Sequence, residues 1–249
     1  MIDAGSFFAP DWPAPRAVRA LVTTRLGGHS KAPYDSFNLG THVGDDPAAV
    51  AANRASLRRH LPAGPCWLEQ VHGTEVALAG GDGREAPIRA DAAVARVAGA
   101  VCAVMTADCL PVLFCDDDGT VVAAAHAGWR GLAAGVLEAT LAAMAAPPAR
   151  VMAWLGPAIG PTAFEVGEEV RTAFLACDPD ARAAFTARKM EGKWLADLFA
   201  LARRRLARAG VERVYGGGVC TFTESGRFYS YRREGTTGRF ASLVWLQAR

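Results

Sequence analysis

The 249-residue chain lacks the features that would commit it to nucleic acid, to a membrane or to an oxidising compartment. Its 27 basic residues are nearly matched by 25 acidic ones, a net charge of +2. A surface that neutralises phosphate backbones needs a basic excess, so this balance argues against a nucleic-acid partner. No run approaches the roughly 20 apolar residues of a membrane span. Met1 to Pro15 carries Asp3, aromatics and three prolines in place of the basic start and apolar stretch of a secretory signal, and reads as an extended N-terminal segment. Cysteines 66, 102, 109, 115, 177 and 220 have none of the close spacing of disulfide-stapled domains. Their setting fits the reducing cytoplasm, with most thiols as small core residues. Internal repeats, low-complexity tracts, Gly/Pro/Ser linkers and heptads are also missing. The reading is therefore one domain over residues 1–249, and a monomer.

What is present is an apolar chain, 51% hydrophobic, in which strand-like and helix-like runs alternate. That alternation predicts a mixed α/β fold, a mixed sheet with helices packed on it. Ala17 to Thr23 reads as a strand, Pro47 to His60 as a helix with proline at its start, and Cys66 to Gln70 as a short strand. Val101 to Thr106, Leu110 to Cys115 and Thr120 to Ala125 are so uniformly apolar that they predict central strands covered on both faces. Asp116-Asp117-Asp118-Gly119 has the chemistry of a tight turn and sets the last two antiparallel. A helix follows from Gly131 to Ala145, stopped by Pro147-Pro148, then a strand at Val151 to Leu155 and helices at Val166 to Ala176 and Trp194 to Ala209. Strands at Phe228 to Arg232 and Ser242 to Leu246 close the chain. Arg203 to Arg205 and Arg208 fall opposite the apolar stripe of their helix, on a solvated face.

Histidine is scarce, with five in all. His72 follows a strand in Gln70-Val71-His72-Gly73, and His126 ends one in Ala125-His126-Ala127-Gly128. Cys109 lies in the break between two central strands, and the turn at 116 to 119 brings the end of the next strand back beside it. His72, Cys109 and His126 form a two-histidine, one-cysteine set that suits zinc, with a fourth tetrahedral position left for water or substrate. The spacings match no compact zinc-finger pattern, and on spacing alone buried, hydrogen-bonded histidines remain the alternative.

A set of ordered motifs goes further. Thr23 to Ser30, Pro33 to Gly40, His42-Val43-Gly44-Asp45, Gln70 to Thr74, Thr106 to Pro111 and His126 to Gly131 resemble the laccase-domain family, also called multicopper polyphenol oxidase. The likeness continues through Gly156 to Gly160, Phe164 to Gly167, Cys220-Thr221 and Phe228 to Arg232, and so covers nearly the whole chain. Bacterial members of this family are described as purine nucleoside phosphorylases with adenosine deaminase activity. The resemblance implies a zinc site on His72, Cys109 and His126, with adenosine, inosine and methylthioadenosine as substrates beside phosphate.

The other motif residues are assigned by chemistry. Arg25 and Arg130, both beside glycines, are candidates to hold phosphate, because a guanidinium pairs with it bidentately. Surface salt-bridging is their alternative role. Asn38 and Gln70 are candidates for ribose hydroxyls or the purine edge, and His42 for a substrate hydrogen bond. Asp108, next to the thiol, is an acid, a base or a group that orients its neighbours. The His-x-Glu and Pro-Cys-x-x-Cys pair of cytidine-type deaminases is missing, so a deaminase activity would leave its general acid unidentified.

Three rival readings differ in class. A copper polyphenol oxidase would need many more histidines than His29, His42 and His60, although copper remains an in vitro alternative at the site. A cysteine or metal hydrolase, with Cys109 as nucleophile and His126 as base, gains weight from the peptidoglycan-editing role given to bacterial relatives, which act on a nucleotide-linked precursor. A metal-stabilised binding protein without turnover is the third.

Overall fold

The computed structural model describes residues 5–80 and 87–248. Two sheets lie face to face. The first runs, in spatial order, Phe7–Phe8, Val18–Thr23, Phe240–Leu246, Val101–Thr106 and Pro65–Cys66. The second runs Arg213–Gly216, Val151–Leu155, Leu110–Asp116, Val122–Ala127, Ala92–Ala95 and Val76–Leu78. Alternation within one strand explains why they stack. Leu113 and Cys115 point into the layer between the sheets, against Cys102, Val104 and Val244. Val112 and Phe114 point the other way, into a layer with Leu137, Leu141 and Leu206 from the helices. On the far side of the first sheet, Val101, Ala103 and Leu243 pack against Leu57 of the helix Pro47–Arg58. The molecule is thus a four-layer mixed α/β domain, helix on sheet on sheet on helices, and its central strands are covered on both faces as their composition requires.

The extended N-terminal segment is in part a strand: Phe7–Phe8 pairs with Val18–Thr23, while residues 1–4 lie outside the described residues. Leu110–Asp116 and Val122–Ala127 pair antiparallel, with His126 opposite Pro111. The second strand starts two residues later than its β-propensity predicts, because the Asp116 carboxylate accepts from Thr120 N (2.7 Å), Thr120 Oγ1 (2.6 Å) and Val121 N (3.0 Å) and draws them into the turn. The strand runs one residue past His126, to Ala127.

Other expectations are corrected. The helix over 131–145 is two, Trp129–Ala134 and Val136–Met144, parted at Gly135 with φ 106°, a left-handed conformation that glycine adopts freely. The helices expected from 166 and 194 start later, at Glu168 and Leu198, since Glu165–Gly167 and Lys193–Ala196 pair antiparallel. The later helix starts only after Asp197, whose side chain accepts from Ala200 N. Cys66 to Gln70 divides between two sheets at Trp67. Phe228 to Arg232 is no strand: Phe228 and Tyr229 are buried in the layer between the sheets, and Ser230 caps the short helix Tyr231–Glu234. The arginines of the 198–208 helix are not simply solvated either. Arg203 donates to Val214 O and Gly216 O, Arg204 to Asp178, and Arg205 to Glu138 and Ala133 O.

Candidate active site and metal centre

The site forms where the chain crosses from one sheet to the other. Val101–Thr106 belongs to the first sheet and Leu110–Asp116 to the second, so Ala107-Asp108-Cys109 is the bridge between them. Asp108 takes φ 93°, uncommon for a residue with a Cβ, and is held there by three bonds. Its Oδ1 accepts from Thr221 Oγ1 (2.7 Å), its Oδ2 from Arg232 N (2.7 Å), and its carbonyl from Ile159 N (2.9 Å). This turn presents Cys109 beside His126 on the neighbouring strand. His72, also in a left-handed conformation at φ 60°, reaches in from the loop after Leu68–Glu69.

The ligand atoms of His72, Cys109 and His126 all lie within 4.8 Å of one another. Cys109 Sγ stands 3.7 Å from His72 Nε2. A tetrahedral zinc with Zn–S of about 2.3 Å and Zn–N of about 2.0–2.1 Å implies an S···N edge of roughly 3.6 Å, so the donor set fits that ion in kind and in spacing. Close quarters need glycines. A Cβ on Gly128 would lie 2.6 Å from His72 Cδ2 and 3.0 Å from Cys109 Sγ, and one on Gly131 would lie 2.9 Å from Gly73 O.

Electrostatics tie the three groups together. Burial alone would raise the Cys109 thiol, but His126 and His72 beside it outweigh that and bring its pKa down to about 6. Burial alone would strip charge from His126, but the Cys109 thiolate and the Asp91 carboxylate lift it to about 9. Asp91 is a residue of the site that motif reading passes over. It is fully buried, and its Oδ1 lies 2.9 Å from His126 Nδ1. One signal was there to be read: a lone carboxylate at the head of the apolar run Ala92-Ala93-Val94-Ala95 is costly to bury without a task.

Above the three groups opens a cavity of about 530 Å³, within the range of small-molecule sites. His42, Gln70, Asp108 and Arg130 line it, as do three aromatics, Trp129, Phe164 and Tyr231. Gln70 is already engaged, its amide pairing with Met105 O and N at 2.8 Å each in the manner of an extra strand residue. Arg130 is exposed and stacks on Trp129, 4.4 Å from the ring centre. His42 is held below its usual pKa by burial and by Arg239 and Arg54, and is neutral at pH 7.

Arg25 and Asn38 do not line the cavity. Arg25 donates to Glu234 Oε1 (2.7 Å), Asp35 O (3.0 Å) and Ser225 O (3.2 Å), and lies 4.8 Å over the Tyr229 ring. Asn38 is buried, donating to Asp45 and Gly40 O and accepting from Gly40 N and Arg239 N. Both lie behind the cavity wall, Arg25 against Glu234 and Asn38 against Arg239 N. In their place the wall presents Arg232 and Arg239. Arg239 follows glycine in Thr237-Gly238-Arg239, the same cue that singles out Arg130, and Arg232 ends the Phe228 to Arg232 motif, so both had a signal in the sequence. Arg232 donates to Glu165 O (2.7 Å), and Arg239 to Thr237 O and Gly238 O (3.0 Å each).

Comparison with known proteins adds three findings. The family model described as multi-copper polyphenol oxidoreductase laccase matches residues 19–247. A protein of Pseudomonas aeruginosa named purine nucleoside phosphorylase is 58% identical over 97% of this chain and 99% of its own length, and Escherichia coli YfiH, given the same activity name, is 57% identical over 95% and 97%. The crystal structure of a Neisseria meningitidis protein superposes with a TM-score of 0.94 at 54% identity, covering 98% of this chain and all of that one.

Proposed function

This chain belongs to the multi-copper polyphenol oxidoreductase laccase family, and we propose that it is a zinc-dependent purine nucleoside phosphorylase acting on adenosine and inosine, and on methylthioadenosine as a further substrate. The observation that carries this reading is a two-histidine, one-cysteine group at the floor of a cavity whose wall bears three arginines and three aromatic rings. The activity named for the relatives supports it.

In phosphorolysis a phosphate oxygen bonds to ribose C1′, the bond from C1′ to the purine nitrogen breaks with its electron pair on the base, and the base takes up a proton. Arg130, Arg232 and Arg239 suit the first demand, since guanidinium groups hold phosphate through charge-assisted bonds. Asp108 is the sole carboxylate on the wall among the described residues, and both of its oxygens are engaged, so it leaves the cavity positive overall. Phe164 and Tyr231 offer faces to a purine. Neutral His42 can donate to and accept from a ribose or phosphate oxygen. Zinc on His72, Cys109 and His126 would supply a Lewis acid at the floor. Deamination of adenosine on the same centre would draw its proton donor from outside the engaged Asp108 carboxyl.

A multicopper cluster finds no support among the described residues: His29 and His60 stand outside the cavity, and no second group of histidines, cysteines and carboxylates lies as close as this one. A second reading, hydrolysis of a nucleotide-linked precursor by a metal-free Cys109–His126 pair, is favoured by the thiol's place between two imidazoles, which favour its thiolate form. Product analysis separates the two. Zinc-loaded protein should convert adenosine or inosine to free base and ribose 1-phosphate only when phosphate is present, and the Cys109→Ala variant should not. Turnover that survives zinc removal and ignores phosphate would overturn the phosphorylase in favour of the hydrolase.

A further inference from the structure

We infer that Asp91 is the positioning residue of the metal centre, a single carboxylate that sets two of the three ligands. The inference rests on the zinc reading above. Asp91 sits at the head of Ala92–Ala95, directly opposite His126 in the sheet, where Asp91 O accepts from His126 N at 2.7 Å. Its side chain is wholly buried, and no lysine or arginine pairs with it among the described residues.

Four donors converge on this carboxylate. Oδ1 accepts from His72 N (2.8 Å) and lies 2.9 Å from His126 Nδ1. Oδ2 accepts from Val71 N (3.1 Å) and Gly73 N (2.6 Å). Three successive backbone N–H groups turned toward one side chain demand a sharp bend, and that bend places His72 at φ 60°, a conformation a residue with a Cβ holds only when its surroundings over-determine it.

The effect on His126 is distinct. An acceptor at Nδ1 keeps a proton there whatever the charge of the ring, so Nε2 is the nitrogen left to face Cys109 and His72 and to meet an ion. One carboxylate thus aims a main-chain turn and an imidazole at the same point, and the ligands stand ready before an ion arrives. Asparagine cannot replace it, having one acceptor oxygen where four donors need two.

A buried carboxylate that only braces the backbone would act otherwise, and the same hairpin holds one. Asp116 binds Thr120 and Val121 at the opposite end of the strand Leu110–Asp116 and touches no ligand. Zinc affinity, measured by chelator competition on the native protein, Asp91→Asn and Asp116→Asn, tests the role. Asp91→Asn should bind zinc about 10- to 100-fold more weakly. Asp116→Asn should lower the melting temperature and leave zinc affinity within about twofold, as expected of a distant site. Equal affinity in Asp91→Asn and native protein, or an equal loss in Asp116→Asn, overturns the inference and leaves the zinc reading standing. A native protein that takes up no zinc ends both.

A second measurement needs no variant. Long-range ¹H–¹⁵N spectra of the native protein should show the His126 proton on Nδ1 both without and with zinc, with only Nε2 shifting as the ion binds. Zinc coordination through Nδ1 would refute the role.

Discussion

Cys109 and His126 stand on or beside strands of a sheet covered on both faces, with His72 on a loop braced by Asp91, whereas Arg232 and Arg239 stand on residues 228–239, a stretch tied down by hydrogen bonds. Around the floor, Leu110, Val112, Ala125 and Ala127 are fully buried against the helices, and the donor atoms of Cys109 and His126 can shift only if that packing shifts. Around the wall, Glu234 accepts from Arg25 (2.7 Å) and Arg233 (2.9 Å) and also from Thr237 Oγ1, while Asn38 Oδ1 holds Arg239 N at 2.8 Å. Packing resists displacement by volume exclusion, and a polar network resists it only while each partner remains. Damage to the floor should therefore abolish the chemistry, and damage to the wall should weaken substrate binding while the metal stays.

The largest effect that this contrast demands is at Cys109. Cys109→Ala should lose bound zinc and lower turnover on the order of a thousandfold, about 4 kcal/mol of transition-state stabilisation. Retained zinc with lost turnover would mean that the thiol acts on substrate and not on metal. Next comes the wall itself. Arg239→Ala should raise KM for phosphate about 10- to 100-fold, the worth of a charge-assisted bond, with zinc content unchanged. Loss of zinc in that variant would break the separation between wall and floor.

Smaller in activity, though not in stability, is the strut behind the wall. Arg25→Ala takes from partly buried Glu234 one of its two arginine partners and should lower unfolding free energy by about 2 kcal/mol in urea titration. KM for phosphate should then rise only several-fold, on the order of the modest misplacement of Arg232 and Arg239. An effect on KM as large as that of Arg239→Ala would place Arg25 back among the ligand-binding groups.

The same division decides what could be read without coordinates. The floor was legible because its signals are local or periodic: doubly covered strands, an aspartate-glycine turn that pairs 110–116 with 122–127, and scarce histidines beside glycines. The wall was not, because its geometry comes from contacts between distant parts of the chain. Arg25 and Arg130 carry the same sequence cue, an arginine near glycine, yet one is bound to Glu234, 209 positions away, and the other faces the cavity. Asp91 escaped notice for a related reason, since its four donors come from residues 71–73 and 126. Helix starts at 166 and 194 were misread because pairing between those two segments outweighed their helical pattern, a tertiary preference that no single window contains.

His42 sharpens the comparison at its small end. It belongs to the wall, and its pKa is held below the ordinary value by partial loss of water at the cavity and by Arg239 and Arg54 nearby. A bond between neutral partners contributes about 0.5–1.5 kcal/mol, so His42→Ala should raise KM by roughly two- to tenfold and leave kcat and zinc content as they were. The direction of its pKa shift adds a second reading of the same variant. The lowered pKa leaves the ring mostly uncharged above its ordinary value of 6.5, so the ratio of native to His42→Ala KM should change little from neutral pH upward. A ratio that shrank as pH fell from 8 to 7 would mean that bound phosphate charges the ring, and His42 would then count with the arginines as a fourth cation of the wall.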